Sequence, residues 1–185
     1  MHMNYSKNHI STRTSVPRRG FTLIETAMAT VIIGTGVLAI VFAQQTFHAQ
    51  NDWAQRAATG MRLAGEIREM TFNLPRHDPV TGNDTWGPED NEATVEDYDD
   101  LDDFDGAIFS FDLNNGPLSA RRTAIEALPG WSQYIEVQNV DPFDIHDVQE
   151  DGTTEMTRIE VIIEYQGPMD LAPDEITRLA WIQPR

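Results

Sequence analysis

The chain has 185 residues, carries 13 Lys and Arg against 30 Asp and Glu for a formal charge of −17, and contains no cysteine. A disulfide framework, a thiolate metal site and a lipid anchor on cysteine are therefore excluded. The charge is uneven: residues 1–20 hold Lys7, Arg13, Arg18 and Arg19 and no acid, leaving 9 of the 13 basic residues to face all 30 acids beyond, or −21. A surface that acidic repels phosphate backbones, which predicts no nucleic-acid partner.

Residues 21–43, FTLIETAMATVIIGTGVLAIVFA, run for 23 positions with Glu25 as the single charge. As a helix they measure about 35 Å against a hydrocarbon core of roughly 30 Å, enough to span a bilayer. Arg18 and Arg19 precede the run and no basic cluster of that kind follows it. The positive-inside tendency thus predicts a single-pass protein with a cytoplasmic N-terminus and an extracytoplasmic remainder. A conventional secretory signal could be cut after Val41-Phe42-Ala43, but such signals have shorter apolar runs and no use for a carboxylate at Glu25. A plain uncleaved anchor would merely tolerate Glu25 near the interface. A carboxylate in the membrane costs on the order of 2 to 3 kcal/mol and is usually functional.

The junction Gly20-Phe21-Thr22-Leu23-Ile24-Glu25, with its basic leader, closely resembles the processing site of type IV pilins and type II secretion pseudopilins. The resemblance covers residues 13 to about 70. It implies cleavage between Gly20 and Phe21 by a membrane-embedded prepilin peptidase, N-methylation of Phe21, and a permanent role for residues 21–48 as filament core. It further implies that Glu25 is an assembly residue, meeting the N-terminal amine of a neighbouring subunit. Within one helix Glu25 lies about 6 Å along the axis from Phe21, and the resemblance places its counter-charge on the amine of a neighbouring subunit. Gly34 and Gly36 are common in membrane helices and would permit close packing or local melting; no proline follows near Phe42 to favour melting. Thr30 and Gly34 match the small-xxx-small dimer pattern only in part.

Beyond Gln44 the sequence turns polar, yet Trp53, Ala57, Met61, Ala64, Ile67 and Met70 recur at helical spacing and predict one buried face. The helix is expected to reach about Phe72, where Asn73-Leu74-Pro75 ends it. From 73 to 106 the chain reads as a loop broken by Pro79, Gly82, Gly87 and Pro88. Its end, EDYDDLDDFDG, holds Asp99, Asp100, Asp102, Asp103 and Asp105, and no Lys or Arg occurs from His77 to Ala120. Such a run predicts a solvated loop, with calcium as the sharper alternative because hard cations take 6 to 8 oxygens. These five aspartates are the calcium candidates, although the EF-hand pattern fails at Leu101 and lacks its closing glutamate. Some members of the resembled family bind calcium in their heads. Tyr98, Leu101 and Phe104, spaced by three, would dock one side of the segment on a core while the acids face water.

After the loop the period becomes two. TRIEVIIEY, 157–165, alternates Ile159, Val161, Ile163 and Tyr165 against Arg158, Glu160 and Glu164, and ITRLAWIQ, 176–183, is expected to pair antiparallel with it. QYIEVQNV, 133–140, makes a third strand, and AIFSFDL, 107–113, a short strand or extended loop. The resulting fold class is α+β, a pilin-like lollipop: a long N-terminal helix, its first half in the membrane, packed on a small antiparallel sheet. The organisation expected is a leader at 1–20, the membrane half of the helix at 21–48, and a head at 49–185 that contains helix 49–72, the acidic loop 73–106 and the sheet 107–185.

His48, His77 and His146 are isolated in sequence, and no HExxH, GxSxG or phosphate-binding glycine loop is present, so no enzyme is predicted. The resemblance implies a structural subunit of a pilus or secretion filament, and a minor one on two grounds. The helix is similar to that of pilus-modification minor pilins and minor pseudopilins, and dense negative charge opposes thousands of like contacts. Its partners would be other pilin or pseudopilin subunits, prepilin peptidase, the inner-membrane assembly platform and, before assembly, membrane lipid of the bacterial inner membrane. The competing classes are an adhesin or binding module on an uncleaved anchor and a secreted enzyme released after Ala43.

Overall fold

The computed structural model describes residues 20–78 and 85–184. Arg18, Arg19, Pro79 and Gly82, which enter the leader and loop readings, lie outside them. The secondary structure is α+β: one helix, α1 (Leu23–Thr71), then strands β1 (Ile108–Ser110), β2 (Trp131–Asp141), β3 (Asp144–Val148), β4 (Met156–Tyr165) and β5 (Asp174–Pro184) in one antiparallel sheet. The chain divides into two compact units, one ending at His48 and one beginning at Ala49.

In the first unit every described side chain is exposed, including Leu23, Val31, Ile32, Ile33, Leu38 and Phe42. The α1 segment is long and apolar enough to cross a membrane, and its apolar window has no buried residue within the chain. The helix passes through Gly34 and Gly36 unbroken, and a Cβ added at either would meet nothing within 4 Å.

In the second unit the sheet follows from the alternation. β2 is buried at Trp131, Gln133, Ile135, Val137 and Asn139 and half-buried between them, and β4 buries Ile159, Val161 and Ile163 on the same side. Pairing places Val137 opposite Ile159 and Ile135 opposite Val161, two apolar pairs on one face, with Gln133 opposite Ile163 on the same side. β5 pairs with β4 along its length, β1 with the start of β2, and β3 with its end at Val140 and Asp141. The expected three-stranded meander is thus β2, β4 and β5, and 107–113 contributes the short β1. The sequence reading lacked β3, whose residues are all exposed. Gly130 leads into β2 with φ 76°, where a Cβ would lie 2.1 Å from the Gln166 carbonyl oxygen, so the hairpin-like approach of these strands requires glycine.

The helical face that packs on the sheet differs in part from the predicted stripe. Ala64, Ile67 and Met70 are buried as expected, but Trp53 is 71% and Met61 52% exposed. The buried row is Gly60, Leu63, Ala64, Ile67, Met70 and Thr71. Gly60 explains the shift: a Cβ there would lie 3.0 Å from the Thr177 and 3.1 Å from the Ile176 Cγ2 methyl, so the helix meets β5 through backbone rather than a large side chain. Thr71 is accommodated because its hydroxyl donates to the Ile67 carbonyl at 3.0 Å.

One polar side chain enters this core fully satisfied. Gln133, 0% exposed, donates from Nε2 to the carbonyls of Leu63 on α1 (3.0 Å) and Leu118 (3.1 Å), and its Oε1 accepts from the Leu118 N–H at 2.6 Å. A single amide thereby joins helix, sheet and the connection between β1 and β2.

Candidate functional site

Two places in the molecule hold carboxylates where burial or apolar surroundings make them informative. The first is the start of α1. Thr22 is the residue before the helix, and Glu25 is its third residue. The Thr22 N–H donates to Glu25 Oε2 at 2.8 Å, the Thr22 hydroxyl donates to the same oxygen at 2.9 Å, and the Glu25 N–H donates back to the hydroxyl at 3.3 Å. This is a reciprocal capping box, in which two otherwise orphaned N–H groups of the first turn are satisfied. The Thr-x-x-Glu spacing before an apolar run is its sequence signature, passed over in favour of the glutamate alone. Phe21 and Gly20 precede the box and are exposed.

The second is the acidic loop, and here the expectation of a solvated face is corrected. Leu101 and Phe104 are fully buried and Tyr98 stacks edge-on against Phe104 at 5.1 Å, as the three-residue spacing predicts. Asp100, Asp102 and Asp103, however, are each 2% exposed or less. A 3₁₀ turn at Asp102–Phe104 places successive residues on all sides, so anchoring Leu101 and Phe104 carries the intervening acids inward. The loop is tied at both ends: the Leu101 N–H donates to the Pro75 carbonyl, and the Gly106 N–H to the Ile135 carbonyl, both at 3.0 Å.

The five candidate aspartates separate into two groups. Asp105 accepts from the Trp86 indole N–H at 3.1 Å and from the Val137 N–H at 2.9 Å, which makes it a strut between loop and β2. Asp102 meets His77 Nδ1 at 3.1 Å and the Gly87 N–H at 3.4 Å. Asp99, Asp100 and Asp103 instead converge with Glu89 and Glu92. Oxygens of Glu89, Asp100 and Asp103 lie within 4.8 Å of one another, as do those of Glu92, Asp99 and Asp103. Glu89 and Glu92 were missed because a loop, not a spacing, brings them to aspartates seven to fourteen positions away. Glu92 in turn accepts from the Glu89 N–H at 3.1 Å.

The electrostatics follow the crowding. Burial pushes the Glu92 and Asp100 carboxyls up to about 8, with neighbouring acids adding to the rise. Burial also raises Asp99, which is further raised by Asp78 and Asp103, and brings Asp102 to about 6. His77, isolated in sequence, is buried beside Asp102 with the Trp86 ring tilted at 5.4 Å; burial first, and Arg76 second, lower its pKa.

No protein-family model, curated protein or solved structure matches the chain.

Proposed function

We propose that the chain is a structural filament subunit of the type IV pilin and type II secretion pseudopilin class, and a minor one. The observation that carries this reading is the start of α1, where one acid sits in the first turn of a helix whose apolar side chains from Leu23 to Phe47 are all left exposed by the chain itself. Apolar surface of that extent demands lipid or other helices. Membrane lipid covers it before assembly, and neighbouring subunits cover it afterwards.

In this reading prepilin peptidase cuts between Gly20 and Phe21 and Phe21 is N-methylated. The capping box is built wholly from residues on the mature side of the cut, so removal of the leader leaves it whole. Glu25 then serves twice, closing its own helix and presenting a negative charge to the amine of the next subunit. The protein is inserted in the bacterial inner membrane with its second unit outside the cytoplasm, and the assembly platform moves it into the filament.

Intact mass of the protein from its native membrane tests the reading. A chain beginning at Phe21 with one added methyl group is expected. An uncleaved Met1 would instead support an anchored binding module, and a chain beginning at Gln44 would overturn the filament reading.

A further inference from the structure

We infer that the turn between β4 and β5 rests on the bilayer surface through Met169 and Leu171, a lipid contact separate from the apolar run of α1. The first observation is exposure. Met169 is 95% and Leu171 102% exposed, and Ala172 and Pro173 continue the exposed apolar stretch. Single exposed apolar side chains are ordinary on a protein surface, whereas adjoining ones held on one turn are of the kind that marks a contact.

The turn is built to display them. The Asp170 N–H donates to the Gly167 carbonyl at 3.0 Å, and the Gly167 N–H donates to Asp170 Oδ2 at 2.8 Å. Pro168 takes the second position of this four-residue turn, which its fixed φ suits. A Cβ on Gly167 would lie 2.6 Å from that same Asp170 oxygen, so the closure depends on glycine. Gln166 donates from Nε2 to the Asp170 carbonyl at 3.0 Å and from its N–H to the Gly130 carbonyl at 2.8 Å, which ties the turn to the start of β2. The acid within 166–173 is therefore folded back on the turn's own backbone, and the apolar side chains beside it are left uncovered.

Contacts inside the second unit fix the direction of the turn. β5 passes Gly60 at Ile176 and reaches Leu74 at Gln183, whose Nε2 donates to the Leu74 carbonyl at 3.3 Å, so strand and helix advance together. Going back from Ile176 to Asp174 covers about 7 Å, or roughly four residues of helix. That level is Arg56, whose guanidinium lies 4.5 Å from the ring centroid of Tyr165, the partner of Asp174. The turn lies beyond this point, toward Ala49, which shares a cleft with Asp174 and Glu175. Ala49 is six residues past the end of the apolar run at Ala43, so the chain itself holds the two within about 20 Å. The end of the second unit that carries the turn is thus the end tethered to the apolar run.

Charge selects the kind of surface. A chain of net charge −17 is repelled by anionic headgroups, so the contact is apolar insertion at a zwitterionic surface. The acid nearest the strand start is offset, since Glu175 pairs with Arg178 at 2.8 Å.

The inference rests on the reading that α1 spans a membrane, and the test separates the two. Because the chain has no cysteine, the variants Ile32→Cys, Phe143→Cys, Met169→Cys and Leu171→Cys each carry one fluorophore on the full chain, reconstituted in phosphatidylcholine vesicles that contain nitroxide-bearing lipid. All four side chains are exposed within the chain, and circular dichroism checks that the fold is kept. Phe143 follows β2, which carries it about 30 Å from the Trp131 end that pairs with Tyr165. A nitroxide on the headgroup is expected to quench the labels at 169 and 171 and spare the label at 143, while a nitroxide deep in the acyl chain quenches the label at 32. No quenching at 32 would overturn the spanning reading and this inference with it. Quenching at 32 without quenching at 169 and 171 would overturn the inference alone, as would equal headgroup quenching at 143. A label at 169 shielded from aqueous iodide but untouched by the nitroxide lipid would assign the turn to another copy or subunit and sink the lipid contact.

Discussion

At the first turn of α1, Glu25 finds its hydrogen-bond donors three residues away, on a Thr22 whose N–H and hydroxyl the helix would otherwise leave unused. In the acidic loop, Asp103 draws two N–H groups to one oxygen, and its other oxygen is buried without a hydrogen-bond partner among the described residues. Asp103 is buried, whereas Glu25 is exposed within the chain. The contrast teaches that a local backbone motif can satisfy a single carboxylate, while a buried cluster of like charges raises its own pKa values.

The largest effect expected from breaking this contrast is at Glu25. Glu25→Ala should abolish incorporation into filaments, read as loss of the protein from the sheared filament fraction while its level in the membrane stays constant. Thr22→Ala separates the two roles of the glutamate: it removes the cap at about 1 kcal/mol of helix stability but retains the charge, and incorporation should be reduced rather than lost. Equal loss in both variants would assign Glu25 to capping alone.

The loop should respond to pH in the opposite sense from a well-paired carboxylate. Because Asp100 and Glu92 have pKa values raised from their ordinary 3.8 and 4.5 to about 8, the folded chain binds more protons than the unfolded chain across that interval. Stability in EGTA should therefore fall as pH rises from about 4 to 8, by at most about 1.4 kcal/mol per pH unit for each group. His77 acts the other way, since its lowered pKa adds stability as pH rises toward 6.5, so the interval from 6.5 to 8 isolates the acids. Denaturant titrations at pH 6.5 and 8 give the slope.

In the same EGTA buffer, Asp103→Asn should raise Tm by a few degrees. The new amide can keep one acceptor for the Asp99 and Asp100 N–H groups and turn a donor toward Glu92. The smallest effect belongs to Gly60→Ala, where the gain in helix propensity, about 1 kcal/mol, opposes methyl contacts at 3.0 and 3.1 Å. A net change under about 1 kcal/mol is expected from chemical denaturation.

Much of the second unit was legible because its physics is local. Alternation along 157–165 and 133–140 marked strands whose buried sides are the observed ones. The helix face was legible only where apolar side chains define it, at Ala64, Ile67 and Met70. A search for apolar bulk chooses Trp53 and Met61 over Gly60, although it is the absence of a side chain at Gly60 that sets the contact. β3 carries no apolar alternation that burial would require, so nothing in Asp144–Val148 signalled it. The loop's acids were visible, but which of them face each other depends on where Leu101 and Phe104 anchor and on Glu89 and Glu92 arriving from another turn.

Gln133 has a mechanical consequence. A helix lying on a sheet through apolar contacts alone can slide by a residue and trade one set of methyl groups for another at little cost. Here a translation of about 1.5 Å along the α1 axis would pull the Leu63 carbonyl off the Gln133 amide and strand both in a dry core. The amide acts as a shear pin: it lets the helix carry axial load into the sheet at a single register and makes slippage an all-or-none event.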